Sequence, residues 1–560
     1  MMMTNTAAST DGDFRYGCCI DAGSSGSRIY LYRWPVEAVH QQQQSDDEDD
    51  DDDGGEALAH TSSSSTFIKV ERRAIFNQER TPGISHDGGL GIHVVQELAA
   101  LAKAALPPDV DPKYVPIYLG ATAGMRIIDT TSTHEAAATM AALRRVLHQS
   151  GFLFRDTWAR TISGEEEGVY AWLVANYLKH NGNLPMPTSA YGALDLGGAS
   201  TQISFLVSSK SHPSSTTTST TSTSDRRPQY EQQQQLFPLR IDELEYPLFT
   251  QSLLFFGVDQ ARILYDAKFA SDKLPNPCYP SGYKDDLSLI SGSSNWEKCL
   301  RSVAKLFDYI SNNSSNNSNG RHEKQLRLGG GGGGGNGQND DDGDDGSSIS
   351  LRSIQSQLAD HHPNFIAMST FVYTWDYLGL RIGSETDDLN ALNSQAQRVC
   401  NMTHIEQVTR YEQHMEYKAI KRRTKKPHTQ CFNAAFTFHL LSKGYGLPVD
   451  KTPIEIYYEI GGTKVQWALG LMLVEVNKLG SIFQQGYVAQ LHPQHEHDLW
   501  SCEICTYHIV LGFVLAALIV VAWILGYLPH RMRRSTIGGD LLPLVDINGN
   551  DEYTSPRKGR

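Results

Sequence analysis

Tyr16-Gly-Cys-Cys-Ile-Asp-Ala-Gly-Ser-Ser-Gly-Ser-Arg28 has a counterpart later in the chain, Tyr191-Gly-Ala-Leu-Asp-Leu-Gly-Gly-Ala-Ser-Thr-Gln202. Each runs Tyr-Gly, a short apolar stretch, Asp-x-Gly, then small and hydroxyl residues. The apolar stretch reads as a buried strand and the glycines and serines as a tight turn. Glycine lacks a Cβ, so such a turn lets backbone N–H groups approach an anion closely. The Asp at the strand end is suited to a hydrated cation. Two copies predict two related half-domains that face one polyphosphate from opposite sides.

The chain has 560 residues, with 40% hydrophobic and 9% aromatic content, which suits a globular protein of two or more domains. Its net charge of −14 owes much to the acidic runs Asp46–Asp53 and Asp340–Asp345. Outside them charge is near balance, which argues against a nucleic-acid partner; the basic run Lys421–Lys426 is the counter-signal, read as a solvated surface.

Three low-complexity stretches, 41–66, 208–235 and 311–348, are read as disordered insertions. Between them strand-like and helix-like segments alternate. Leu90–Leu106 and His134–His148 read as helices, and Val115–Leu119 as a strand, so the expected fold is α/β. Ser163 with Glu166 three residues on forms a capping box, and Glu165, Glu166 and Glu167 fill the first turn of the helix that follows. These acids serve a helix start as readily as catalysis, and nothing local selects one of them.

Ile509–Leu528 is an uncharged apolar run of the length, about 20 residues, that spans a bilayer as a helix. Arg531, Arg533 and Arg534 follow it, which puts the C-terminal tail in the cytosol and the large N-terminal part in a lumen or outside. Met1–Gly17 contains no apolar signal-peptide core, which conflicts with that topology. Asn401-Met-Thr403 and the sequons at Asn312, Asn313 and Asn316 favour the secretory side. Of eight cysteines, Cys278 and Cys299, and Cys400 and Cys431, have spacings that suit disulfides, although spacing alone fixes no connectivity. Cys18 and Cys19 are expected as buried thiols, and Cys502 and Cys505 as a juxtamembrane disulfide or acylation site. His492, His495 and His497 read as a polar linker.

Five pieces now stand in order: Asp21–Arg28, Gly120-Ala-Thr-Ala-Gly-Met-Arg126, Ser163-Gly-Glu-Glu-Glu-Gly-Val-Tyr-Ala-Trp172, Asp195–Gln202 and Trp467-Ala-Leu-Gly470. Together they resemble the five apyrase-conserved regions of the nucleoside triphosphate diphosphohydrolase (apyrase) family, over about residues 14–470. The low cysteine count looks most like Golgi-type members, here with a C-terminal anchor.

The resemblance implies two ribonuclease-H-like lobes of the actin/sugar kinase/heat-shock superfamily, with an active site in the cleft and one C-terminal transmembrane helix. The expected order is a tail (1–13), lobe I (14–160), lobe II (161–435), a return to lobe I (436–490), a linker (491–508), the membrane helix (509–528) and a cytosolic tail (529–560). It implies hydrolysis of nucleoside tri- and diphosphates to monophosphates with Ca²⁺ or Mg²⁺, and Glu167 as the base that activates water. Asp21 and Asp195 would hold the metal through its waters. Ser24, Ser25 and the backbone of Gly23, Gly26 and Ser27 would hold one phosphate, and Gly197, Gly198, Ala199 and Ser200 another. Thr122 and Gln202 would position water or the metal shell. Arg28 and Arg126 would bind phosphate or brace their loops. Trp467 would lie by the site or in the core, and Tyr373 would stack on the base. Cys278, Cys299, Cys400 and Cys431 match the family's disulfide positions. A Golgi role in clearing nucleoside diphosphate, or a plasma-membrane location, is analogy. The alternatives are a nucleotide-binding receptor or scaffold, and a polyphosphate-directed phosphatase on the same fold.

Overall fold

The computed structural model describes residues 14–36, 67–84, 90–207, 236–241, 244–269, 275–284, 290–314, 351–414 and 427–484. All lie within one compact unit, Met1–Gln485. The apolar run 509–528, the linker and tails, Cys502, Cys505, the histidines at 492–497, the basic run 421–426 and most of the three insertions lie outside the described residues. Among the described residues no helix is long and apolar enough to cross a membrane.

The first sheet is built from β1 (Phe14–Ala22), β2 (Ser27–Pro35), β3 (Phe76–Arg80), β4 (Ile117–Ala121) and β5 (Ala159–Thr161), in the order β3-β2-β1-β4-β5. β1, β2 and β3 pair antiparallel, whereas β4 and β5 join parallel to β1. The second sheet contains β6 (Gly192–Leu196), β7 (Ser200–Leu206), β8 (Leu236–Ile241) and β9 (Leu244–Leu254). Beyond the separate β10 (Asn276–Ser281), β11 (Phe365–Ser369) and β12 (Ile454–Ile456) complete it, in the order β12-β11-β6-β7-β9-β8. β6, β7 and β9 pair antiparallel, and β11 and β12 join parallel to β6.

Without the extra edge strand β8, the two sheets have one topology. The repeated sequence motif occupies equivalent places, at the β1–β2 and β6–β7 turns. The duplication makes two mixed-sheet α/β lobes. The parallel crossovers bury their strands on both faces, which explains the near-continuous apolar reading of β4, β6 and β11.

The helices are α1 (Leu90–Ala104), α2 (Ala123–Thr131), α3 (Thr133–Gln149), α4 (Gly164–Lys179), α5 (Val258–Phe269), α6 (Trp296–Ser314), α7 (Leu351–His361), α8 (Thr370–Leu378), α9 (Leu389–Cys400), α10 (His404–His414), α11 (Gln430–His439) and α12 (Trp467–Gln484). α4 packs on the second sheet and α12 on β1 of the first, and the two helices pack against each other. Gly168 permits the first contact: a Cβ there would come within 2.6 Å of both Ser204 Oγ and Thr250 Oγ1. Gly470 permits the helix–helix contact, since its Cβ would come within 2.2 Å of the Tyr170 carbonyl oxygen. The buried side chains of Val169–Leu178 form a core that both sheets share.

Two boundaries differ from expectation. β12 pairs with β11 in the second sheet, although it falls within the stretch 436–490 assigned to the return. Only from Trp467 does the chain lie back on β1. α6 continues to Ser314, past the expected start of an insertion at 311. Disulfides join Cys278 to Cys299 and Cys400 to Cys431. Cys18 and Cys19 are free and fully buried on opposite faces of β1.

Candidate active site

Both Asp-x-Gly motifs close with the same bond. Gly23 N–H donates to Gly26 O at 3.1 Å, and Gly197 N–H donates to Ser200 O at 2.9 Å. Each Asp is the next-to-last residue of its strand, opposite a polar residue of the next: Asp21 faces Arg28, and Asp195 faces Gln202. In the second turn the carbonyls of Gly197 and Gly198 accept from the first N–H groups of α5, and that of Ala199 accepts from Phe255. With these carbonyls tied back, the amides of Gly198 and Ala199 donate to no acceptor among the described residues, which suits an anion. Gly257 lets the support approach, since a Cβ there would lie 2.2 Å from Ala199 N. Gly83 does the same for the first turn, 2.3 Å from the carbonyl oxygens of Gly23 and Ser24. Ser25 is exposed at the turn. Ser27 is fully buried and its hydroxyl has no partner among the described residues, so its contribution is confined to backbone.

Glu167 enters from α4. The Ser163 hydroxyl accepts from Glu166 N–H at 3.0 Å, and Glu166 Oε2 accepts from Ser163 N–H at 2.9 Å, completing the capping box. Glu166 also receives a bidentate pair from Arg160 of β5, both contacts at 2.7 Å. Glu165 faces neither partner. This division of roles singles out Glu167, whose Oε2 accepts from Arg126 Nη2 at 2.9 Å and from Gln202 Nε2 at 3.0 Å. Its Oε1 makes no hydrogen bond to a described residue, so one oxygen is held and the other is left for a water.

Arg126 is the brace of the site. It follows Thr122, the N-cap residue of α2, whose side chain makes no capping bond. Its guanidinium donates to Ile162 O at 3.0 Å, to Glu167 Oε2 and to Ser200 Oγ at 3.1 Å. One side chain thus ties the loop after β4 to α4 and to the second turn. Gln202 adds bonds to Ser200 Oγ at 2.8 Å and Ser252 Oγ at 3.1 Å. Arg28 is likewise committed to neighbours, Asp21 at 3.1 Å and Glu79 at 2.8 Å. Both arginines brace their loops in this structure.

The carboxylates share one electrostatic environment. Burial pushes Glu167 up to about 7; Arg126 opposes this, while the charges of Asp195 and Asp21 add to it. Burial pushes Asp195 up to about 6, against a hydrogen bond from Ser369 and with a further push from Asp21. Burial also raises Asp21, with Arg28 opposing. Three buried acids that resist ionisation together form a site in want of positive charge. A hard cation meets that need through oxygen ligands. Among the described residues no three His, Cys, Asp or Glu side chains converge on a point, so the donor set fits a cation that keeps its waters.

Two further expected residues, Trp467 and Tyr373, flank the turns. Trp467 is a core residue: it is 6% exposed, stacks with Tyr170 at 6.4 Å, and its ring lies where a Cβ on Gly120 would be 2.7 Å away. It supports the loop that carries Thr122 and Arg126 from beneath. Tyr373, in the first turn of α8, is half-buried and close enough to Arg28 to act on its charge, which puts it near the first turn. The sequence reading missed Ser369 and Ser252. Ser369 ends β11 with φ of 62° and binds Asp195, and a Ser-Thr pair between a strand and a helix is its one local signal.

A family model for the GDA1/CD39 (nucleoside phosphatase) family matches residues 7–321 and 347–486. The chain is 27% identical over 564 residues to ectonucleoside triphosphate diphosphohydrolase 2 of Gallus gallus, covering 94% of this chain and 93% of that protein. It is 28% identical over 501 residues to the Homo sapiens protein of the same name, covering 82% of each. A crystal structure of nucleoside triphosphate hydrolases from Neospora caninum aligns with a TM-score of 0.45 at 14% identity, over 85% of this chain and 95% of that one. The paired turns and the acids around them lie within the matched residues, and the chain belongs to the GDA1/CD39 (nucleoside phosphatase) family.

Proposed function

We propose that this enzyme hydrolyses the terminal phosphoric anhydride of nucleoside tri- and diphosphates. The observation that carries the reading is Glu167: a buried acid raised to about 7, held by one oxygen, in electrostatic contact with both motif aspartates. A general base is most effective with a pKa near the working pH. Glu167 Oε1 takes a proton from a water as that water attacks the terminal phosphorus in line. The bond from phosphorus to the bridging oxygen breaks, the shorter nucleotide leaves with the electron pair, and orthophosphate is released. The amides of the two turns hold the phosphate chain, and Arg126 and Gln202 keep Glu167 aimed. A hydrated Ca²⁺ or Mg²⁺ between Asp21 and Asp195 would supply charge neutralisation on the phosphates.

The residues past 485 extend the proposal: the run 509–528 anchors the enzyme in a secretory-pathway or plasma membrane, with clearance of nucleoside diphosphate in the Golgi lumen as one role. The activity is tested with purified protein and three substrates: a nucleoside triphosphate, a nucleoside diphosphate and inorganic polyphosphate. Cation-dependent phosphate release from the nucleotides supports the proposal. Release from polyphosphate alone, or tight nucleotide binding with no release, overturns it.

A further inference from the structure

Away from the cleft, a groove of about 550 Å³ opens beside the start of β1 and the end of β2. Its walls include Phe14, Pro35, Lys69, Arg72, Arg73 and Asn181. Lys69 Nζ donates to Asn183 Oδ1 at 2.7 Å and Arg72 Nη1 to Asn181 Oδ1 at 3.3 Å, both neutral acceptors. Glu71 also lines the groove, but Arg33 engages it at 2.9 Å. Lys69, Arg72 and Arg73 form no ion pair among the described residues, and Arg73 is exposed. Three cations thus line one groove whose carboxylate, Glu71, is engaged by Arg33, a local field that attracts anions.

The chain itself carries such an anion, tethered at this place. It leaves β2 at Pro35, on the groove wall, and is described again from Phe67, two residues before Lys69. The stretch between holds Asp46–Asp53, eight consecutive acids in the order DDEDDDDD. The dozen or so residues on either side of that run reach roughly 35–45 Å when extended, enough to return to the wall from both ends. A tether of this kind gives an effective concentration on the order of millimolar, so weak individual contacts suffice. We propose that Asp46–Asp53 docks in this groove of the same chain, with its carboxylates on Lys69, Arg72 and Arg73. This inference is independent of the catalytic reading.

The test is zero-length carbodiimide cross-linking of the full-length protein, followed by peptide mass spectrometry of the monomer band. At low salt, about 20 mM, where screening is weak, Lys69 is expected to form an amide with a carboxylate of 46–53. The yield should fall several-fold in 0.5 M salt, where the Debye length shrinks to roughly 4 Å. It should also fall several-fold in the Arg72→Ala/Arg73→Ala double variant, and vanish in Lys69→Arg. Conversion of the whole run to Asn and Gln should leave Lys69 unlinked but still open to an amine-specific reagent. A Lys69 that reacts with that reagent yet never links to the run overturns the proposal. So does a link confined to dimers, or one indifferent to the double variant.

Discussion

Replacement of Arg126 with Met removes the guanidinium while keeping the apolar stem, and its effect on Glu167 follows from the contacts. Arg126 lies 2.9 Å from Glu167 Oε2 and is the foremost influence holding that carboxyl down against burial. An opposite charge at this range lowers a carboxyl by roughly 1–3 pH units, so its loss should raise Glu167 by that amount from about 7. At pH 7 half of the native Glu167 is ionised, whereas the variant would have on the order of 0.1–10% in the basic form. The expected outcome is a fall in kcat/KM at pH 7 of roughly 5- to 500-fold, with much of it recovered near pH 9. The assay is initial-rate phosphate release from a nucleoside diphosphate across pH 5–10, at saturating cation. The acid limb of the variant should move to higher pH while its plateau stays closer to wild type. An unmoved acid limb with a raised KM at every pH would refute this reasoning and make Arg126 a phosphate ligand.

The same acid sets a stability trend. Glu167 is raised from 4.5 to about 7 by folding, so its favourable contribution is complete below pH 4.5 and lost as pH rises through 7. Glu167→Gln, which can still accept from Arg126 and Gln202, should therefore melt above wild type at pH 8 without nucleotide or cation, and level with it at pH 4.5; thermal scans at the two pH values check this. Gly168→Ala would put a methyl 2.6 Å from two hydroxyls of the second sheet, displacing α4. About 1–3 kcal/mol of stability should be lost in denaturant titration, with a fall in kcat larger than that in nucleotide affinity. The Cys400→Ser/Cys431→Ser variant opens a loop with a separation of 31 residues. In the chain-entropy view this removes about 3–4 kcal/mol, read as a lower unfolding midpoint.

The parts of this site that were legible in the sequence are those whose physics is local. The Asp-x-Gly turns, the capping box at Ser163 and the strands feeding them depend on residues within a few positions of one another. The choice of Glu167 over its two neighbours came only through family resemblance. The structure adds a physical basis: Glu166 is consumed by Arg160 and Ser163, while Glu167 turns to Arg126 and Gln202. Contacts made between distant strands were not legible. Ser369 reaches Asp195 because β11 lies parallel beside β6, and Ser252 reaches Gln202 because β9 lies beside β7; neither pairing has a local signature. Trp467 and Gly470 show the opposite case, a motif whose presence was visible and whose role was not. Trp467 supports Gly120 and Gly470 admits Tyr170, so this motif works through packing.

Everything chemical in this account passes through one carboxylate. The most direct measurement is the turnover of folded Glu167→Gln on a nucleoside diphosphate with Mg²⁺ or Ca²⁺, alongside nucleotide binding to the same preparation. Retained binding with phosphate release reduced by roughly a hundredfold or more is the predicted result, as expected for loss of a general base. Turnover close to wild type in that folded variant would contradict the assignment of the base and, with it, the mechanism.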